Sequence, residues 1–118
     1  MQPTIVVEPH ADARCVTEEL FAPVVTLHAF DDFSEAVARA NQSRFGLNAA
    51  VFTSDLNEAL YAMDRLRAGS VLVNHSSAFR VDHVPYGGIR ESGLGREGVR
   101  AAMEEMTEVK MMVLRPFP

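Results

Sequence analysis

Apolar positions fall into short runs separated by turn residues, and the runs alternate between two periods. A run over residues 4–8 stops at Pro9. A denser one follows Pro23 over residues 24–29 and reads as a strand buried on both faces. Asp31 and Asp32 are cap candidates for a helix over 33–41, with Phe33, Val37 and Ala40 on one face and Gly46 beyond its end. A strand over 49–53 follows. Ser54 or Asp55 then caps the clearest amphipathic helix in the chain, where Leu56, Ala59, Leu60, Met63 and Leu66 recur at steps of three and four until Gly69 stops it. Residues 71–74 form a short apolar strand ending in polar residues, so the stretch from Val51 to Val73 predicts a right-handed parallel strand-helix-strand unit. Residues 75–95 are irregular and hold Pro85, Gly87, Gly88, Gly93 and Gly95, a long loop for so small a chain and of the kind that carries function. A helix over 97–106 and a strand over 109–114 complete the order; that strand has no evident partner within the chain.

The chain has 118 residues, 47% hydrophobic and 23% charged, with a formal net charge of −5, the make-up of one soluble globular unit without repeats or low-complexity tracts. Arg and Lys are scattered among acids, so no dense positive face is offered to a polyanion and nucleic acid is not an expected partner. No apolar run approaches the roughly 20 residues needed to cross a bilayer, and the N-terminus lacks a basic-then-apolar leader. A cytoplasmic protein without a membrane partner is expected. The lone Cys15 cannot form an internal disulfide, which fits a reducing compartment.

Gly93-Leu94-Gly95-Arg96-Glu97-Gly98 matches the GxGxxG dinucleotide fingerprint letter for letter. The fingerprint works only when a buried strand delivers the chain into the glycine turn. Here Gly87 to Ser92 precede it, and no suitably placed acid follows about 20 residues on, so it reads as a turn leading into a helix. Cys15 has His10 and Arg14 nearby in sequence but no activating motif, and reads as a small apolar residue. His10, His28, His75 and His83 show no metal-ligand spacing, so no metal is expected. Glu18 and Glu19 stand immediately before Leu20-Phe21-Ala22-Pro23 and a core strand, which places acids at the lip of a cleft.

Those last residues, Glu18-Glu19-Leu20-Phe21-Ala22-Pro23, resemble the Glu-Glu-x-Phe-Gly/Ala-Pro motif of the aldehyde dehydrogenase superfamily. Phe45-Gly46-Leu47 and Val51-Phe52-Thr53 resemble its Tyr-Gly-Leu and Val-Phe-Thr run. Pro85-Tyr86-Gly87-Gly88-Ile89-Arg90-Glu91-Ser92-Gly93-Leu94-Gly95-Arg96-Glu97 resembles its Pro-Phe-Gly-Gly-x-Lys-x-Ser-Gly-x-Gly-Arg-Glu signature. Gln2-Pro3-Thr4 resembles its segment entering the strand before the Glu-Glu motif, and Thr107-Glu108-Val109-Lys110 resembles its closing motif. The matches keep the family's order and cover nearly the whole chain.

The resemblance implies an α/β fold: part of a three-layer parallel-sheet catalytic domain, residues 1–95, that includes the substrate-mouth loop, followed by a helix and oligomerisation strand in residues 96–118. It implies NAD or NADP as cofactor and a route in which a cysteine thiolate adds to the aldehyde, hydride leaves, and a glutamate-activated water hydrolyses the thioester. The cysteine and glutamate of that chemistry are expected upstream of Met1, so the chain reads as a C-terminal fragment that is inactive alone and has no catalytic residue of its own. Carried over by motif, Glu19 is similar to the glutamate that accepts hydrogen bonds from the nicotinamide-ribose hydroxyls. Phe21 resembles the aromatic at the nicotinamide side. Tyr86 stands where the family has phenylalanine beside the substrate entrance, and Arg90 replaces a lysine. Arg96 and Glu108 resemble a pair tying the glycine-rich loop to the final strand at a subunit interface, which implies a homo-oligomer formed through that strand.

The stretch from Asn74 to His83 looks more like the branches acting on lactaldehyde, glyceraldehyde phosphate or phosphonoacetaldehyde than like those acting on fatty or aromatic aldehydes. Within it His75, Phe79 and Arg80, together with Tyr86, are the candidate mouth residues, with Arg80 or His75 receiving a polar or anionic substrate. The plainer alternative pairs Arg80 with Asp82 on the surface. A different class of reading is a non-enzymatic module that reuses this half-fold for binding or assembly, lending its last strand to another chain.

Overall fold

In the computed structural model, which describes residues 1–117, ten elements follow one another: β1 (Thr4–Val7), α1 (Arg14–Thr17), β2 (Val24–Leu27), α2 (Phe33–Ala40), β3 (Phe45–Gly46), β4 (Asn48–Val51), α3 (Leu56–Arg65), β5 (Ser70–Val73), β6 (Ile89–Arg90) and α4 (Val99–Glu105). Pro118, the last residue of the expected C-terminal segment, lies outside the described residues. No helix among the described residues is long and apolar enough to cross a membrane.

The strand-helix-strand unit forms as the pattern predicts. β4 and β5 pair in parallel with Ala49 opposite Val71 and Val51 opposite Val73, and α3 crosses between them. β1 and β2 make a second parallel pair, Ile5 opposite Val25. The α/β class expected from the pattern is seen, with the strands in separate two-stranded sheets, two of them parallel and the pair β3–β6 antiparallel. Residues 1–117 supply no strand to bridge the two parallel pairs, so both keep open edges.

Helix starts follow the cap chemistry of the sequence. Asp32 accepts hydrogen bonds from the backbone N–H groups of Ser34 and Glu35 at 2.8 and 3.1 Å, and Asp55 does the same for Asn57 at 2.7 Å. The hydroxyl of Ser34 and the backbone donors together hold the Asp32 carboxyl below the usual carboxylate range. A depressed folded value means that the cap's contribution is present above the unfolded pKa and lost as pH falls through the lower folded one. Asp32→Ala is therefore expected to lower the thermal midpoint at neutral pH, and the gap from the parent protein should close when melting is repeated in strong acid.

The core is small. Val37 of α2, Val51 of β4 and Ala62 of α3 are the buried apolar side chains. Three of the five residues of the expected α3 stripe are exposed instead, Leu56, Leu60 and Met63 at 71%, 59% and 69%, while Ala59 and Leu66 are half-buried and the helix's buried residue is Ala62, outside that stripe. On β1 and β2 one face, Ile5, Val7, Val25 and Leu27, is likewise exposed. The sequence pattern marks these positions for burial, but no element among the described residues lies over them.

The expected strand over 109–114 is also corrected. Residues 107–117 carry no secondary structure, and Val109, Met111, Met112, Val113 and Leu114 are all exposed: a strand needs a hydrogen-bonding neighbour, and no strand among the described residues pairs with this run. This projecting end accounts for a radius of gyration of 19.7 Å, against about 13 Å for a compact unit of this length.

Candidate functional site

The candidate residues lie in three places: the acidic stretch before β2, the loop after β5, and the glycine-rich turn around β6, with Glu19 and Ser92 lining one cleft. Glu18 and Glu19 end the short helix α1 and have different fates. Arg14 donates to Glu18 at 2.9 Å through Nη2 and 3.0 Å through Nε. That hydrogen bond and charge hold the Glu18 carboxyl below its usual range. Glu19 is exposed and lines a cleft of about 460 Å³ with Asn41, Gly46, Asn48, Leu66, Arg67 and Ser92. On the same cleft the side-chain oxygen Oδ1 of Asn48 is buried without a partner, while its Nδ2 donates to the Ser77 carbonyl at 2.7 Å. Phe21 is not part of this cleft lining: its ring is 93% exposed and its backbone adopts φ +43°. The expected meeting of Glu19 and Phe21 in one cleft is therefore absent from this chain.

His75, Phe79, Arg80 and Tyr86 lie near one another in the structure. His75 and Phe79 pack ring on ring, centroids 4.3 Å apart and tilted by 60°. Phe79, Arg80 and Tyr86 share a pocket of about 170 Å³ with Ser70, Leu72 and Val84, beside the strand β5. The Arg80 guanidinium lies 4.7 Å above the Tyr86 ring and donates to Glu97 at 2.8 Å. Its partner is thus Glu97 and not the neighbouring Asp82. Tyr86 and Glu97 are joined by a two-residue antiparallel bridge, in which Tyr86 N–H donates to the Glu97 carbonyl at 3.0 Å and Glu97 N–H to that of Tyr86 at 2.6 Å. Asn74, at the end of β5, has φ +54°; its side chain accepts from Thr53 N–H at 2.9 Å and donates to the Thr53 carbonyl at 2.8 Å. That double hydrogen bond fixes the direction in which the loop leaves the sheet.

The glycine-rich turn is a structural device. Gly93, Gly95 and Gly98 all have positive φ, and Gly98 delivers the chain into α4 with no side-chain cap. The strand before the turn is the two-residue, antiparallel β6, so the turn lacks the buried parallel strand that a dinucleotide fingerprint requires. The expected pair between Arg96 and Glu108 is not made. Arg96 Nη1 donates to the carbonyls of Gly88 and Gly95 at 3.0 and 2.8 Å, its N–H goes to Glu105 at 2.8 Å, and Glu108 is exposed in the projecting end.

Several anchoring residues escape sequence reasoning. Arg90 donates to the carbonyls of Asn41 and Ser43, the Asn41 side chain donates to the Arg65 carbonyl and accepts from Arg67 N–H, both at 2.8 Å, and Ser92 Oγ accepts from Gly46 N–H at 2.8 Å. Together they tie the ends of α2 and α3 to the turn. The only signal was an asparagine just after a helix end and a serine between glycines, too common a pattern to single out.

The "Aldehyde dehydrogenase family" profile matches residues 1–112. The chain belongs to the aldehyde dehydrogenase family. Lactaldehyde dehydrogenase of Methanococcus aeolicus is 47% identical over 95% of this chain and 24% of its own length. 3-Sulfolactaldehyde dehydrogenase of Priestia aryabhattai is 42% identical over the same shares. Among solved structures, aldehyde dehydrogenase 21 of Physcomitrella patens, in complex with its reaction product succinate, superposes with a TM-score of 0.92 at 45% identity, over 96% of this chain and 24% of that one. Glyceraldehyde-3-phosphate dehydrogenase GapN of Methanocaldococcus jannaschii, complexed with NADP, gives 0.84 at 42% identity over 92% and 23%. This aldehyde dehydrogenase segment therefore spans about a quarter of the length of its relatives. The likeness at 0.92 means that the open sheet edges and bare faces belong to a segment folded as it is folded in a larger protein.

Proposed function

We propose that the chain is the C-terminal part of an NAD(P)-dependent aldehyde dehydrogenase that oxidises a small polar or anionic aldehyde to the carboxylic acid. The observation that carries this reading is the Phe79, Arg80 and Tyr86 pocket, where a guanidinium sits at the wall of a space only about 170 Å³ in size. A wall of that kind favours a short substrate with an oxygen-rich end over an alkyl chain. His75 packs against Phe79 with its ring tilted by 60°, which brings a second polar side chain next to a residue of the pocket wall. The relatives' names point the same way, with lactaldehyde and 3-sulfolactaldehyde both short and oxygenated.

The residues present fit a ribose contact. Glu19 offers two acceptor oxygens at the cleft, and a vicinal diol brings two O–H donors. Glu19 would hold the nicotinamide ribose, with Phe21 at the ring side once the rest of the protein covers it. The chemistry that NAD or NADP supplies when bound is acceptance of the hydride. In this reading the nucleophilic cysteine and the glutamate base of a thioester route lie outside residues 1–118, and the chain alone oxidises no aldehyde. Arg96, with its loop, and Glu108 and residues 109–114, with their exposed apolar side chains, then form a subunit contact of a cytoplasmic homo-oligomer.

The test is steady-state kinetics of the full-length enzyme with lactaldehyde and hexanal. The expected result is a kcat/KM at least about tenfold higher for lactaldehyde, the scale set by one charge-assisted hydrogen bond. A preference for hexanal sinks the polar-substrate reading.

A further inference from the structure

The mouth contains a carboxylate that no substrate contact explains. The backbone bridge between Tyr86 and Glu97 is made entirely by main-chain groups, so it does not need the Glu97 side chain. That side chain nonetheless reaches Arg80, whose guanidinium is clasped between the Tyr86 ring face at 4.7 Å and the Glu97 carboxylate at 2.8 Å. The clasp uses one nitrogen, Nη2, of a fork with five N–H donors. Both side chains remain in touch with water, Arg80 at 47% and Glu97 at 63% exposure, so the pair is not a buried one that holds the fold together. A half-exposed ion pair adds little to stability, yet its charges still act on anything that enters a pocket a few ångströms away.

We infer that Glu97 is a specificity-determining residue: it orients Arg80 toward the pocket and, by partly neutralising it, sets how strongly the mouth favours an anionic over an uncharged hydroxy-aldehyde. The inference rests on the proposed role of Arg80 at the substrate mouth. Two opposed effects meet in one carboxylate. It aims the guanidinium, which helps every oxygen-bearing substrate, and it repels a carboxylate, sulfonate or phosphate, which handicaps only the charged ones. Removing the charge while keeping an acceptor separates the two. Glu97→Gln retains an amide oxygen that can accept from Nη2 but leaves the full positive charge of Arg80 to the substrate.

The experiment measures kcat/KM of the full-length enzyme for succinic semialdehyde, which carries a carboxylate, and for lactaldehyde, which carries none. The readout is the ratio of the two, in the parent protein, Arg80→Gln, Glu97→Gln and the double variant. Glu97→Gln is expected to raise the ratio about fivefold, the size of one unit charge about 4 Å away in a water-exposed setting. The increase should shrink at high ionic strength, which a merely structural change would not produce. In the Arg80→Gln background the same substitution should leave the ratio unmoved, because the group whose charge it modulates is gone. An unchanged or lowered ratio in Glu97→Gln, while Arg80→Gln does lower it, overturns the inference and leaves the Arg80 reading standing. A ratio insensitive to Arg80→Gln overturns both. Should Glu97→Gln prove insoluble, Glu97→Ser removes the same charge and carries the same expectation for the salt-dependent part of the ratio.

Discussion

Gly69→Ala is expected to destabilise the protein by about 3 kcal/mol and to reduce aldehyde oxidation with it, the largest stability effect of any single methyl group added to this segment. A Cβ at position 69 would stand 1.7 Å from the Gly87 carbonyl oxygen and 2.9 Å from its carbon, with the Leu47 oxygen at 3.0 Å. All three obstacles are backbone, so no rotamer change relieves them. Gly69 N–H donates to the Gly46 carbonyl at 3.0 Å, and Ser70 N–H to that of Leu47 at 3.2 Å, which pins the residue from the other side. Relief then requires the glycine-rich turn to move away from the start of β5. Since that turn carries Tyr86 and leads to Glu97, the displacement would travel to the mouth. Denaturant midpoints and kcat/KM of the full-length enzyme check the expectation. A variant with the parent midpoint would show that the two backbones do not approach this closely.

Gly69 also illustrates what was legible in the sequence and what was not. It was readable as the stop of a helix, and α3 does end just before it, at Arg65. Its second task, letting the backbone of Gly87 pass, depends on a residue 18 positions away and leaves no local trace. The same division holds across the fold. β1, β2, α2, β4, α3 and β5 came from period, cap and breaker signals that act within a few residues. The pair β3–β6 joins Phe45 to Arg90, and no period can exist in two residues. α1 is four residues long, with neither a side-chain cap nor a buried face to mark it.

In the site the contrast is sharper. For Arg80 the sequence offered a pocket role or, as the plainer alternative, a surface pair with Asp82; its ion-pair partner is Glu97, brought round by the loop and the Tyr86 bridge. Arg96 was matched with Glu108, yet its guanidinium finds carbonyls of Gly88 and Gly95 within its own turn. In both cases the observed partner depends on tertiary geometry, which leaves no local trace in the sequence. The run at 109–114 fails for another reason. Its apolar character is plain in the sequence, but no other strand among residues 1–117 pairs with it, and it carries no secondary structure.

The remaining large effect concerns the lip before β2. Glu19→Gln in the full-length enzyme is expected to raise KM for the nicotinamide cofactor about tenfold, and Glu19→Ala about a hundredfold, since hydrogen bonds to a charged acceptor contribute about 1.5–3 kcal/mol and neutral ones about 1. The amide keeps one acceptor oxygen at the cleft; the methyl group keeps none. Glu18 is the internal control. It stands one residue away with the same charge, but it is committed to Arg14 at 2.9 Å on the other side of the helix end, so Glu18→Gln should leave the cofactor KM within about twofold of the parent. Equal effects at the two positions would mean that only the general negative potential of the lip matters. An effect at neither would remove Glu19 from the ribose site.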